Sequence, residues 1–279
     1  MWNGCRPMPG SELAVALIGW GAIARRVAAV LAERKAPVRI VAVATRDAAA
    51  DLAGLPDGCR HISSPEELTE GAGQRPGLVL EAAGRQSVAP FGRAALSAGM
   101  DFAVSSTSAF AEGDLLDELL ALASGTGAQI LVPPGALGGI DALAAASRLG
   151  LDHVRHEIIK PPAAWQGTPA MAACDLDHLT TAHTFFTGTA RQAAAAYPQN
   201  ANVAVISAMA GLGLDRTEVA LVADPAASGN AHRLAASGAF GSMELMLTNK
   251  PLATNPKSSE MTALSLVRVI ENRAGALVL

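Results

Sequence analysis

Residues 13–26, LAVALIGWGAIARR, constrain this chain more than any other stretch: an apolar run, two glycines spaced Gly19-x-Gly21, and the opening of an amphipathic helical pattern. The segment reads as the strand, tight turn and helix of a dinucleotide-binding unit. Glycine at Gly19 lets the strand turn sharply into the helix. The reason at Gly21 is different: without a side chain the backbone can approach a pyrophosphate, whose charge then rests on the helix N-terminus. Ala22 and Ile23 complete the cofactor-binding turn, and Ala24 takes the third small position, where helix and strand pack closely.

The flanking pattern supports this assignment. Leu13, Val15, Leu17 and Ile18 suit a strand buried on both faces of a parallel sheet. Ile23, Val27, Val30 and Leu31 then recur at helical spacing, with Arg25, Arg26, Glu33 and Arg34 on the other side. Ala36-Pro37 ends that helix, and the run at 38–44 (VRIVAVA) completes a βαβ unit of about thirty residues. The second strand leads into Thr45-Arg46-Asp47. An acidic side chain at this point binds a free ribose hydroxyl and repels a 2′-phosphate, whereas an arginine attracts one. Arg46 is therefore a candidate partner for the 2′-phosphate of NADP, and Asp47, one residue further on, leaves NAD open as well. Arg46 also reads as a solvated loop charge.

A chain of 279 residues, half of them hydrophobic and 16% charged, buries a full core and divides most naturally into two domains. A net charge of −4 carries no footprint for nucleic acid. Cys5, Cys59 and Cys174 are widely separated and form no CxxC pair, which argues against a disulfide framework or a zinc site and for a reducing cytoplasm. Residues 1–12 lack an apolar core of signal-peptide length and read as a flexible leader. Residues 119–140 carry no charge, but Ser124-Gly125-Thr126-Gly127 and Pro133-Pro134-Gly135 cut them into short elements, so no membrane span is expected.

Beyond the second strand, helical and strand-like segments keep alternating. Ser64-Pro65-Glu66-Glu67 reads as a capped helix start; strands are expected at 78–82, 101–104 and 129–132, with helices at 88–98 and 114–123. This is the alternation of an open, doubly wound α/β sheet. Past Pro133 the texture changes to period-two segments at 153–160, 217–223, 231–236 and 242–248, which suit a mixed or antiparallel sheet in a second, α+β domain. The expected divisions are a dinucleotide-binding domain at 13–132, a substrate domain at 133–255, and a C-terminal helix at 256–279 packing back on the first domain.

Four stretches in the second half carry the chemistry: PPGALGGIDAL at 133–143, YPQNANVAV at 197–205, DPAASGNAHRL at 224–234, and NPKSS at 255–259. In order and spacing they resemble the L-aspartate dehydrogenase family, and the likeness runs along nearly the whole chain from Leu13. The resemblance implies a two-domain enzyme that oxidises L-aspartate with NAD or NADP to iminoaspartate, which hydrolyses to oxaloacetate and ammonia and is also a precursor for NAD biosynthesis. It implies that His232 is catalytic, that Ala136 and Asn202 contact the cofactor, and that the protein is a homodimer. Two departures from the family's commoner pattern are the loop Ser105-Ser106-Thr107-Ser108-Ala109-Phe110 and Ser259, where threonine is frequent.

Read without the family, His232 is one of six histidines and has a structural alternative. Its place after Ser228-Gly229-Asn230, at the start of a short strand, is where loops deliver functional groups. Oxidation needs an unprotonated substrate amine, and hydrolysis needs an activated water; an imidazole serves both steps. Asn202 reads either as a helix cap, with Asn200, or as an amide presented to the cofactor. A dicarboxylate needs cationic or donor-rich partners, for which the candidates are Lys160, Arg233, and Lys257 with Ser258 and Ser259 beside an expected helix N-terminus. His153 and His156 have no carboxylates placed to complete a metal shell, and His178 and His183 are five apart rather than four, so no metal is expected. The rival readings are another two-domain NAD(P)-dependent oxidoreductase, or a dinucleotide sensor without turnover.

Overall fold

The computed structural model describes residues 12–46, 52–70 and 73–279. The expected leader, apart from Glu12, lies outside the described residues, as does Asp47. The chain divides into two compact units, one formed by Met1–Pro133 with Ala263–Leu279, the other by Pro134–Thr262.

The first unit runs β1 (Leu13–Ile18), α1 (Ala22–Glu33), β2 (Val38–Ala44), β3 (Arg60–Ile62), β4 (Leu78–Glu81), α2 (Arg85–Ser97), β5 (Asp101–Val104), α3 (Leu115–Thr126) and β6 (Ile130–Leu131). Its six strands pair in parallel in the order β3-β2-β1-β4-β5-β6. That is the doubly wound arrangement, in which ligands bind outside the carboxyl ends of the strands where the order reverses, here between β1 and β4. Every residue of β1 is buried, as its unbroken apolar run requires. Gly19 follows it at φ +99°, and a Cβ there would lie 2.9 Å from Cα and Cβ of Ala83. Both the backbone angle and the neighbouring loop demand glycine.

The expected helix at Ser64-Pro65-Glu66-Glu67 is a single 3₁₀ turn, Glu66–Leu68. Glu67 Oε1 accepts from the N–H groups of Ser63 and Ser64 at 3.1 and 3.0 Å, but the Ser64 hydroxyl bonds Glu66 instead of capping. The following Thr69-Glu70 offers no continuing apolar face, and the turn ends there.

The second unit contains α4 (Ile140–Ala146), β7 (Leu151–Lys160), α5 (Ala170–Ala173), β8 (His183–Thr189), α6 (Ala190–Ala196), α7 (Ala201–Ala210), β9 (Glu218–Ala223), β10 (Ala231–Gly238), β11 (Gly241–Thr248), and a ribbon of β12 (Pro251–Leu252) with β13 (Asn255–Ser259). Five strands form a mixed sheet in the order β11-β10-β7-β9-β8. Only β7 and β9 run parallel within it. Residues of α4, α6 and α7 pack against one face through Leu143, Ala193, Ala204 and Ala208, which meet Val154, Ile158, Leu221 and Leu234. The other face carries ion pairs, Arg155 to Glu157 and Glu218, and Arg233 to Glu157 and Glu244.

Four elements here lie outside the sequence expectation, the short α5 and β12 and the longer β8 and α6. β8 is a Thr- and Phe-containing strand, and α6 begins at a reciprocal capping box, Thr189 Oγ1 accepting from Gln192 N–H while the Gln192 side chain accepts from Thr189 N–H. The expected C-terminal helix at 256–279 also needs correcting. Its first residues belong to strand β13, because Pro256 and the pairing of Ser259 with Pro251 hold them extended. The helix itself, α8, spans Glu260–Ala274.

From Ala263 onward α8 belongs to the first unit, where Ala263, Leu266, Val267 and Ile270 join the core of β1 and α1. Arg34 grips Glu271 with two hydrogen bonds of 2.6 and 3.2 Å, and Arg273 pairs with Asp101. Leu266 is fully buried. Leu266→Ala is expected to lower the unfolding free energy by about 2–5 kcal/mol, read as a fall in the urea midpoint.

Candidate active site

The first unit holds a cleft of about 400 Å³ at the carboxyl ends of β1, β2 and β4, lined among others by Gly19, Gly21, Thr45, Arg46 and Ala83. Gly21 stands at the N-cap of α1 with φ −83° and ψ −173°, angles open to any residue, and a Cβ there would meet no atom within 4 Å. Nothing among the described residues requires glycine at this position. This open space lies over a helix start with no side-chain cap and no acidic residue in its first turn, a setting that would suit an anionic group such as a pyrophosphate. Ala22 and Ile23 are half-buried at that start, while Ala24 is fully buried in the core and acts through packing.

Of the described residues lining the cleft none is acidic, and Arg25 and Arg46 are basic. Arg25 donates to the Trp20 carbonyl at 3.0 Å and lies over the Trp20 ring. Arg46 is exposed at the end of β2. Beside it the Thr45 hydroxyl and His61 Nε2 are 2.6 Å apart.

The second unit assembles a different set. In the β7–β10 pairing His232 stands opposite Ile158, and His156 opposite Leu234. The two histidines are diagonal neighbours on one face, within reach of long side chains. His156 Nε2 lies 3.1 Å from His232 Nδ1, and its Nδ1 lies 2.9 Å from Ser207 Oγ on α7. Burial pushes His156 down to about 3. Burial first, then the neighbouring His156 and Lys160, hold His232 well below the usual histidine range. Both imidazoles are therefore neutral at physiological and alkaline pH.

Lys160, on the same face of β7, donates to Asn200 Oδ1 and lies 5.1 Å from the centroid of the Trp165 ring. Burial pushes its ammonium down to about 8. Asn200 occupies the N-cap of α7 but serves Lys160 and makes no side-chain cap bond; Asn202 is the second residue of that helix. Ala136 is buried, and its carbonyl accepts from Asn249 Nδ2 at 3.0 Å, which fixes the 133–139 loop.

The remaining candidates separate from this group. Arg233 alternates to the ion-paired face, away from its neighbour His232. Lys257 is exposed on the β12–β13 ribbon, Ser258 Oγ accepts from Asn255 Nδ2 at 3.2 Å, and Ser259 is buried. The expected helix N-terminus at this point is a strand running into α8. His178 bonds Asp175 at 2.9 Å on the surface, and among the described residues no group of three or more His, Cys, Asp or Glu is placed to hold a metal ion. Sequence reading did not find Ser207 or the role of His156; the histidines' shared face becomes visible only through the strand register.

Comparison with known proteins decides among two-domain dehydrogenase families. Residues 141–273 match the family model for aspartate dehydrogenase, C-terminal, and residues 19–133 match the NAD-binding domain of homoserine dehydrogenase. An L-aspartate dehydrogenase of Brucella anthropi is 59% identical over 265 residues, covering 95% of this chain and 98% of its own. The chain belongs to the L-aspartate dehydrogenase family. A second member, from Cupriavidus necator, is 45% identical over 268 residues, 95% of this chain and 98% of its own. The crystal structure of aspartate dehydrogenase from Thermotoga maritima shares the fold of this family member at TM-score 0.75 and 24% identity, over 96% of this chain and 99% of that one.

The open space at Gly21 gives a test of the cofactor cradle. Gly21→Val is expected to leave the thermal midpoint nearly unchanged while weakening NAD(P)H binding at least tenfold, measured by fluorescence titration. Equal losses of stability and affinity would mean that Gly21 serves the fold.

Proposed function

We propose that this chain oxidises L-aspartate with NAD or NADP, using His232 as general base, and that Lys160 binds a substrate carboxylate. The observation that carries this reading is the placing of a buried, neutral imidazole beside a half-buried lysine on one sheet face. When bound, the nicotinamide accepts the hydride leaving the aspartate α-carbon. His232 takes the proton from the substrate ammonium, so that the nitrogen lone pair is free to form the imine as hydride departs. After releasing that proton to solvent it removes one from the water that adds to the imine carbon; returning this proton to the amine lets the C–N bond break, and as the hydroxyl loses its own proton to the departing ammonia, oxaloacetate is left.

Lys160 suits a carboxylate because its ammonium is largely removed from water, where an ion pair is little screened. Lys257, Ser258 and Ser259 remain secondary candidates on the ribbon. Ala136 and Asn202 are proposed cofactor contacts, along with Gly19, Gly21, Ala22 and Ile23 of the first unit, where Ala24 supports the turn by packing. The basic lining at Arg46 supports pairing with the 2′-phosphate of NADP.

The family likeness extends the proposal to a cytoplasmic homodimer whose iminoaspartate feeds NAD biosynthesis. Cys59 and Cys174 are free thiols, as a reducing compartment keeps them, and among the described residues no helix is long and apolar enough to cross a membrane.

Purified protein given L-aspartate is expected to reduce NAD or NADP at alkaline pH, and to consume reduced cofactor with oxaloacetate and ammonia. His232→Ala should lose about 10²–10⁴ in kcat while retaining cofactor affinity; near-normal turnover in that variant defeats the assignment. Arg46→Ala should weaken NADP binding more than NAD binding. For Lys160 the sign follows from its lowered proton affinity. The charged form is lost as pH rises through about 8, so kcat/KM for aspartate in the wild type should fall on that limb. Lys160→Arg, protonated throughout, should keep binding and remove the limb.

A further inference from the structure

The histidine pair continues inward to a fixed end. Ser207 Oγ donates to the Ala204 carbonyl at 3.0 Å, one turn earlier in α7. A carbonyl only accepts, and a serine hydroxyl has one hydrogen to give. With that hydrogen committed, the Ser207 oxygen meets His156 Nδ1, 2.9 Å away, as an acceptor. His156 must then carry its proton on Nδ1. Neutral in its buried site, it turns a bare Nε2 toward His232 Nδ1 at 3.1 Å, and His232 supplies the proton of that bond. The rings are tilted by 49° with centroids 5.3 Å apart, so the contact runs edge to edge between nitrogens.

We propose that Ser207 and His156 are positioning residues that hold His232 in its Nδ1–H tautomer, leaving Nε2 as the bare, proton-accepting nitrogen. The functional half of the proposal rests on the reading of His232 as general base; the tautomer does not. The reverse polarity would break the bond to Ala204, place a proton on His232 Nε2, and leave a base able only to donate.

The choice of an imidazole as the orienting group has a chemical consequence. A carboxylate in the place of His156 would select the same tautomer, but its charge would favour the imidazolium and raise the proton affinity of His232. A neutral imidazole orients without adding charge. His232 thus stays unloaded, a state that a carboxylate in the place of His156 would oppose. The cost of placing three polar groups in a core of Leu, Val and Ala is offset only when each bond in the chain is made, so its polarity is set along the whole length.

The test is ¹⁵N NMR of the full-length protein labelled in histidine, with His232 signals assigned by their loss in His232→Gln. The expected wild-type spectrum has a protonated Nδ1 and a bare Nε2. Ser207→Ala and His156→Leu should shift His232 toward mixed tautomers and lower kcat about 10- to 100-fold, the range for losing a group that orients a functional histidine, with KM for the cofactor unchanged. Ser207→Thr, which keeps the hydroxyl, should restore both. If His156→Leu does not fold, the smaller Ser207→Ala excision carries the same readout. A wild-type His232 protonated on Nε2, or a tautomer indifferent to Ser207→Ala, overturns the proposal. Should His232→Ala retain turnover, the base assignment fails while the NMR result still decides the chain's polarity.

Discussion

A buried carboxylate organises the first unit. Glu81 ends β4 with no exposure to solvent, where an unpaired charge would be prohibitive. Its oxygens accept from the N–H groups of Ala83, Gly84 and Ser106 at 2.8–2.9 Å and from the hydroxyl of Ser106 at 3.0 Å. These bonds tie the loop after β4 to the loop after β5. Ala83, held there, is the atom group against which only a glycine at position 19 fits. Ala83 also lines the cleft, so one wall of it is held by the same bonds. Ser106, in the serine-rich loop, supplies two of the donors that Glu81 needs.

The second unit obeys the same rule with neutral groups. A sheet face covered by helices admits polar side chains only where they satisfy one another. Alternation along β7 puts His156, Ile158 and Lys160 on that face, and the β10 register adds His232. Helix α7 then closes both ends of the cluster, Asn200 meeting Lys160 and Ser207 meeting His156. Desolvation lowers the proton affinity of all three basic groups, which makes a face that is otherwise core into one suited to proton transfer.

Much of this was readable along the chain. The run before Gly19, the helical spacing after it and the alternating β/α texture define the doubly wound sheet, because each reports local periodicity against a buried face. The alternation of Met243, Leu245 and Leu247 likewise marks β11 as one-sided. Readings failed where local signals compete with pairing. Asn200 looks like a cap but is taken by Lys160. Residues of NPKSS look like a helix entrance but are held as a strand by Pro251 and Leu252. β8 carries no alternating apolar face, its Phe185 and Phe186 being adjacent and flanked by Thr, and the Thr189 to Gln192 capping box that follows is the local signal of its end.

By itself, then, the sequence determined the dinucleotide turn, the parallel sheet and the family, and through the family resemblance it singled out His232; these properties are written in local spacing and in residue identity. The tertiary structure alone decided that His156 stands 3.1 Å from His232, that Ser207 anchors it, that Lys160 shares its face and that Arg233 does not. Seventy-six residues separate the two histidines, and no local pattern encodes which strands pair or in what register. A shift of one residue would turn the whole set to the opposite face.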